Sequence, residues 1–452
     1  MHRISVFVVA LVTAALPLRA QQREEPRGER PQFLFYETFD LPSDDTAQSR
    51  VDVHYRIDAD FFVAVRNTDT SSSSQFVRRG EVLFELRDST DVSRGRDISP
   101  IERGTNNPES NLDAREWCQG ISSLSVPPGK YTLLVEITDH ESPRRYRDRS
   151  RVVVAQSFTG VAPVVSTPMF IAHSDTGTVD DTLSPLNFGG NVLFGSKAAL
   201  FCELAPVHGT GNGIRARYSI ASLAGSSGEE TVVQADSLAA APALHNFTLE
   251  PAGNGDVIGY KVRKADSSRI LGVEIPFACE KLLLRDYLMR VTIDVGGSEQ
   301  RIEARFRTIW PDMPLSLRDI EYALDALRYI ASPGEIDSLK HGDFAARRRH
   351  LEEFWESRAP ATGSALNEVM AQYYRRVDHA RRTFGTLKAL DGAKTDRGRI
   401  FILYGPPTST DRRLDPTGGF VEVWIYRGLS KKLTFLDTTK SGNYVLVSST
   451  SL

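Results

Sequence analysis

Across residues 33–309 the chain is written in short apolar or alternating segments, cut by clusters of Gly, Pro, Ser and Asp, and nothing there repeats with a helical period. This pattern limits the fold more than any other feature. Alternation at period two buries one face of a strand, and many short strands between turn signals stack into antiparallel sandwiches. Val51-Asp52-Val53-His54-Tyr55-Arg56-Ile57 alternates, residues 61–65 read as a core strand, and Pro127-Pro128-Gly129 is a turn that launches residues 131–137. Residues 159–196, rich in Gly, Thr, Ser and Pro with few apolar runs, read as a connecting segment. Eight further strands are expected between 198 and 309.

After Trp310-Pro311-Asp312-Met313-Pro314 the period changes. Leu317, Ile320, Leu324, Leu327 and Ala331 share one helical face, with Ser316 placed to cap the start. Phe344, Leu351, Phe354 and Trp355 mark a second helix. Leu366, Val369, Met370, Tyr373, Val377, Ala380 and Phe384 mark a third. Four strands are expected to close the chain, at 399–404, 420–426, 432–436 and 444–448. Helices followed by strands make an α+β pattern. The fold class expected is therefore multidomain and β-rich, with two antiparallel β-sandwich (Ig-like) domains at 33–158 and 197–309 and an α+β domain at 310–452.

Residues 1–20 read as a signal peptide. His2 and Arg3 precede an apolar stretch at 4–16, too short to span a bilayer, and Ala20 stands before the expected cut. Residues 21–32 are a charged, flexible leader. A secreted or periplasmic chain with no transmembrane segment in its mature part is the resulting expectation. A formal net charge of -3 argues against a nucleic-acid partner. The chain has 3 cysteines, so it is no disulfide scaffold. Cys202 and Cys279 allow either an oxidised pair or buried free thiols, and Cys118 falls in a loop.

Between Lys340 and Arg413, 15 basic residues stand against 9 acidic ones. Arg375, Arg376, Arg397 and Arg399, with Tyr374 beside them, are the candidate binding residues for an envelope protein or an anionic polymer. A solvated, internally paired helix face is the other reading. Asp396, in a polar turn beside Gly398, and His379 are the catalytic candidates, though neither has an assured partner. Paired cysteines, a phosphate loop and a histidine pair at metal-binding spacing are all missing from the sequence, so no metal and no cofactor is expected.

Several ordered blocks carry a resemblance. They are Phe354-Trp355, Asn367-Glu368, Tyr373-Tyr374-Arg375-Arg376-Val377, Gly392, Thr395-Asp396-Arg397-Gly398-Arg399-Ile400, Tyr404-Gly405-Pro406-Pro407 and Val421-Glu422-Val423-Trp424-Ile425-Tyr426. At these spacings residues 354–426 resemble the bacterial GWxTD domain, and the upstream strands are similar to β-domains that accompany it in secreted bacterial proteins. Two positions depart from the pattern: Ala393 replaces the name-giving Trp, and Ala359 stands where Asp is usual. The resemblance implies no established activity. The expected function is a non-enzymatic binding or assembly protein of the cell envelope, its contact carried by the C-terminal domain. A hydrolase of an envelope polymer or peptide acting through Asp396, and a structural spacer, are the alternatives.

Overall fold

The computed structural model describes residues 33–452 apart from 44, 46, 70, 107–115, 161, 174–181, 208–213, 225–228, 239–240, 242, 254–256, 266–268, 360–362, 387–388 and 416–417. The expected signal peptide and leader lie outside the described residues. Among the described residues no helix is long and apolar enough to cross a membrane.

The first β-domain contains β1 (Leu34–Leu41), β2 (Ser49–Asp58), β3 (Ala64–Arg66), β4 (Phe76–Arg87), β5 (Ser93–Thr105), β6 (Trp117–Val126), β7 (Gly129–Asp139) and β8 (Arg145–Ala155). One sheet runs β1-β2-β6. The other runs β3-β4-β7-β8, with β5 paired to β4. Val53, Tyr55, Phe84, Leu86, Val135 and Ile137 meet in the core between them. The strand expected at 61–65 is met only at Ala64 and Val65, in β3; Phe61 ends a 3-10 turn, Ala59–Phe61, whose start Asp58 caps through its carboxylate, and Phe61 and Phe62 enter the core. Cys118 is on β6 and buried, not in a loop.

Residues 159–196 differ from a plain connector. They supply β9 (Val164–Val165), β10 (Met169–Ala172), β11 (Thr182–Leu183) and β12 (Val192–Leu193). Such two- to four-residue strands are too short to display a period. They join β13 (Ala198–Ala205), β14 (Arg215–Ala224), β15 (Glu229–Leu238), β16 (Ala243–His245), β17 (Phe247–Gly253), β18 (Ile258–Lys264), β19 (Leu271–Phe277), β20 (Asp286–Val295) and β21 (Ser298–Ile309). The sheets run β10-β13-β19-β16, β11-β18-β17 and β12-β21-β20-β14-β15.

Strand β13 is buried along its whole length, so both its faces find cover. Leu200, Cys202 and Leu204 enter the core against β14, β20 and β21, whereas Ala199 and Phe201 enter a separate cluster. That cluster also takes Phe39 and Leu41 from β1, with Phe247, Leu249 and Tyr260 from β17 and β18. The β1-β2-β6 sheet therefore has apolar partners on both sides, and the two β-domains share a core. Cys118, Cys202 and Cys279 are all buried free thiols, and burial pushes each up to about 12.

The C-terminal part contains α1 (Leu315–Arg318), α2 (Ile320–Ala326), α3 (Pro333–Leu339), α4 (Phe344–Glu356), α5 (Glu368–Thr383) and α6 (Asp396–Tyr404), then β22 (Ser409–Leu414), β23 (Phe420–Tyr426), β24 (Lys431–Asp437) and β25 (Val445–Ser451) in an antiparallel sheet of that order. The first expected helix is broken in two. Asp319 caps α2 through its side chain, while α1 is capped from outside: Asp378 on α5 accepts the Leu315 and Ser316 N–H groups at 2.6 and 2.9 Å. Ser316, expected as that cap, is buried and donates to the Tyr374 carbonyl instead. Residues 399–404, expected as a strand, are the body of α6, and β22 takes the fourth place in the sheet.

Candidate functional site

The seam between α5, α6 and the closing sheet is built around Asp391-Gly392-Ala393-Lys394-Thr395-Asp396-Arg397-Gly398. Gly392–Lys394 forms a 3-10 turn that Asp391 caps, and Asp391 also accepts the Tyr322 hydroxyl at 3.0 Å. A Cβ on Gly392 would collide with the Ala380 carbonyl at the end of α5, and one on Gly398 would collide with the Gly392 carbonyl. Two glycines thus let three backbone segments meet at contact distance. Thr395 locks the arrangement: its hydroxyl donates to the Gly392 carbonyl at 2.8 Å and accepts the Gly398 N–H at 3.0 Å, capping α6.

The remaining polar groups of this stretch also have partners. Asp396, in the first turn of α6, accepts the Leu446 N–H of β25 at 2.8 Å and faces Arg399 at 3.6 Å. A carboxylate there complements the helix dipole. Arg397 is buried; it donates to Glu422 at 3.0 Å and to the Gly442 carbonyl at 3.2 Å, with its guanidinium 4.2 Å from the Tyr444 ring centroid. Glu422 accepts the Trp424 indole N–H as well, at 2.9 Å. At the far end of α6, Arg376 reaches the Ile402 and Leu403 carbonyls at 3.4 Å, and Gly405 takes a φ of 79° to end the helix. Burial lowers the Arg376 guanidinium pKa from its ordinary value.

The residues expected to bind together are therefore distributed. Tyr374 is fully buried, its hydroxyl donating to the Ala323 carbonyl at 3.0 Å. Arg375 lies on the opposite side of α5 from this seam and pairs with Asp312 and Glu368. Arg376 and Arg397 are held internally, and Arg399 is part-exposed beside Asp396. His379 stacks on Phe401 at 4.4 Å and 18°, one and a half turns along α6 from Asp396, about 7.5 Å by helical rise. The two catalytic candidates thus serve different neighbours. At Ala393, Tyr329 donates to the backbone carbonyl at 2.8 Å, and Tyr322, Tyr329 and Ile402 line a small recess beside it.

Two larger recesses lie elsewhere, both between domains. One, of about 760 Å³, is lined by Tyr55, Arg103, Cys118 and Gly120 of the first domain and Pro251 and Ile258 of the second. The other, of about 1050 Å³, lies where Phe35, the β20–β21 pair, Trp310 and α1 converge. Sequence reasoning found neither, because a recess between domains is formed by residues hundreds of positions apart. Trp310 was visible as a boundary marker, but nothing in the sequence tells a paired arginine from an unpaired one.

Residues 298–451 match the family model described as the GWxTD domain. The match begins on β21, so it includes the last strand of the second sandwich. No curated protein matches the chain. A solved structure titled "BspA_C_WT" is 11% identical, covers 61% of this chain and 100% of its own, and has a TM-score of 0.14, too low to carry an argument.

Proposed function

We infer that this chain, which carries a GWxTD domain at residues 298–451, is a non-enzymatic binding or assembly protein of the bacterial cell envelope, exported by the signal at residues 1–20. What supports the reading is one observation. The polar side chains of the family motif are engaged by neighbouring backbone or by a buried partner, Thr395 and Asp391 as caps, Arg397 with Glu422, and Asp396 with Leu446. Groups fixed in this way build a rigid seam, and a rigid domain docked on a double sandwich is suited to presenting a surface. The Ala365 N–H donates to the Glu280 carbonyl at 2.7 Å, and Phe194 meets Trp310 at 5.8 Å, so the C-terminal part is held to the second sandwich.

The test is affinity capture with the whole mature chain, residues 21–452, exposed to envelope extract, with bound material identified by mass spectrometry. A saturable partner retained by Asp396→Asn is the expected result. Turnover of an envelope polymer or peptide that Asp396→Asn abolishes, with Tm unchanged, would replace this reading by the hydrolase. Neither capture nor turnover would leave a spacer.

A further inference from the structure

We propose that the recess at the meeting of the three domains binds an acidic peptide segment. The inference deepens the binding reading above and rests on it. The recess presents four guanidiniums, of Arg285, Arg305, Arg307 and Arg318, and two carboxylates, of Glu230 and Asp286. Both carboxylates are already engaged by a forked arginine. Arg307 forks onto Asp286 at 2.7 and 3.0 Å, and Arg290 forks onto Glu230 at 2.7 and 2.9 Å. Arg285 and Arg318 make no ion pair with a carboxylate among the described residues, and Arg305 makes no close one, although Glu230 feels its charge along with that of Arg290. Each comes from a different element: the approach to β20, β21, and the last residue of α1. Three planar donors outside any close ion pair, lining one concavity, match carboxylates, which accept a guanidinium through two parallel hydrogen bonds.

The rest of the lining chooses among anions. Trp310, Met313, Leu284 and Phe35 make part of the recess apolar. This wall is braced from behind. Phe35 meets Phe188 at 5.5 Å and Trp117 at 5.7 Å, and the Arg56 guanidinium sits 4.2 and 4.8 Å from those two ring centroids. A uniformly charged polymer would lay its charges along that wall and beside Glu230 and Asp286. A peptide with separated Asp or Glu residues and apolar residues between them satisfies both kinds of surface. The recess volume of about 1050 Å³ accommodates a segment of several residues.

The experiment is fluorescence anisotropy on the full mature chain at low and high salt. The probes are a labelled dodecapeptide repeating Asp, Leu and Gly, the same peptide with Asn for Asp, and polyphosphate. Saturable, salt-sensitive binding of the Asp peptide is expected, with the Asn peptide and the Arg285→Glu, Arg305→Glu, Arg318→Glu protein each at least about tenfold weaker. A second protein with Gln at the three positions should fall in the same direction and guards against misfolding by charge reversal, as does the melting curve of each. An Arg375→Glu, Arg399→Glu protein should bind like wild type. Polyphosphate binding tighter than the peptide, equal binding of the Asn peptide, or binding unchanged in both triple variants would each overturn the proposal. An envelope partner captured equally by wild type and triple variant would remove the recess while leaving the binding reading in place; turnover lost in Asp396→Asn would remove the binding reading itself.

Discussion

At Gly398 the α6 backbone lies so close to the Gly392 carbonyl that a methyl group has no room, and the obstacle is main chain, not a side chain that can swing aside. Gly398→Ala should therefore cost about 3 kcal/mol through forced backbone movement, although Ala is the better helix former. Urea denaturation reads it, and a variant as stable as wild type would mean the seam is looser than drawn. Arg397 makes a second residue-scale case. Its side chain and that of Glu422 are 9% and 4% exposed. Removing the cation strands a buried carboxylate that retains Trp424 and the exposed Arg412 as partners. Arg397→Met should cost about 3 kcal/mol or more, and Glu422→Gln on the Arg397→Met background should recover part of it. No recovery would show that Arg397 acts through its ring contacts. The sequence displayed Arg397 among its basic neighbours, and nothing local could reveal that this one turns inward to meet a glutamate 25 positions on.

Among the elements, α6 shows where a short segment misleads. Ile400-Phe401-Ile402-Leu403, stopped by Gly405 and two prolines, has the length and apolarity of a buried strand, and four apolar residues in a row carry no period to decide otherwise. The deciding signal lay upstream, in Thr395 and Asp396 at N-cap and first-turn positions. The same kind of signal marks the start of α3, where Ser332-Pro333-Gly334-Glu335 forms a capping box. By contrast the presence of α4 and α5 is legible, because each runs for several turns, although Phe344 and Val369, expected on their apolar faces, are exposed. If Thr395 sets the start of α6, Thr395→Ala should destabilise by about 1–2 kcal/mol while Thr395→Ser stays near wild type, since the hydroxyl makes both bonds. Thermal melts of the pair test this. Equal losses in both would assign the effect to the methyl group's packing instead of the cap.

For the molecule as a whole, the consequential feature is the polar network sealed between the two sandwiches, which no alternation of strand residues could announce. Alternation identified β2 as a strand, but not that its second face is covered by β17 and β18. There Arg50 meets Asp52 at 3.1 Å and donates to the Leu249 carbonyl at 2.8 Å, and the Tyr260 hydroxyl donates to Asp52 at 2.7 Å. With that proton committed, Tyr260 can only accept from His54 Nε2, at 2.6 Å, and Nδ1 is left buried without a partner. Glu203, on β13, feels Arg50 and Asp52 from the same space. Burial pushes Glu203 up to about 7 and, on β1, Asp40 up to about 6, while it pushes His54 down to about 3. The two carboxyls hold protons in the fold at pH values where the unfolded chain has released them. Their contribution is complete below their unfolded pKa values and is lost as pH rises through 6 and 7. His54 acts in the opposite sense, favouring the fold above 6.5 and losing that contribution as pH falls towards 3. Glu203 can be isolated by comparing Glu203→Gln with wild type at two pH values, because the Asp40 and His54 contributions cancel in the difference. Between pH 5 and 8 the variant should gain about 2 kcal/mol on wild type, since only wild type must ionise a carboxyl inside the shared core. Denaturant titrations at both pH values measure it. A difference that does not change with pH would mean that Glu203 ionises as freely in the fold as outside it, and that water reaches the junction of the sandwiches.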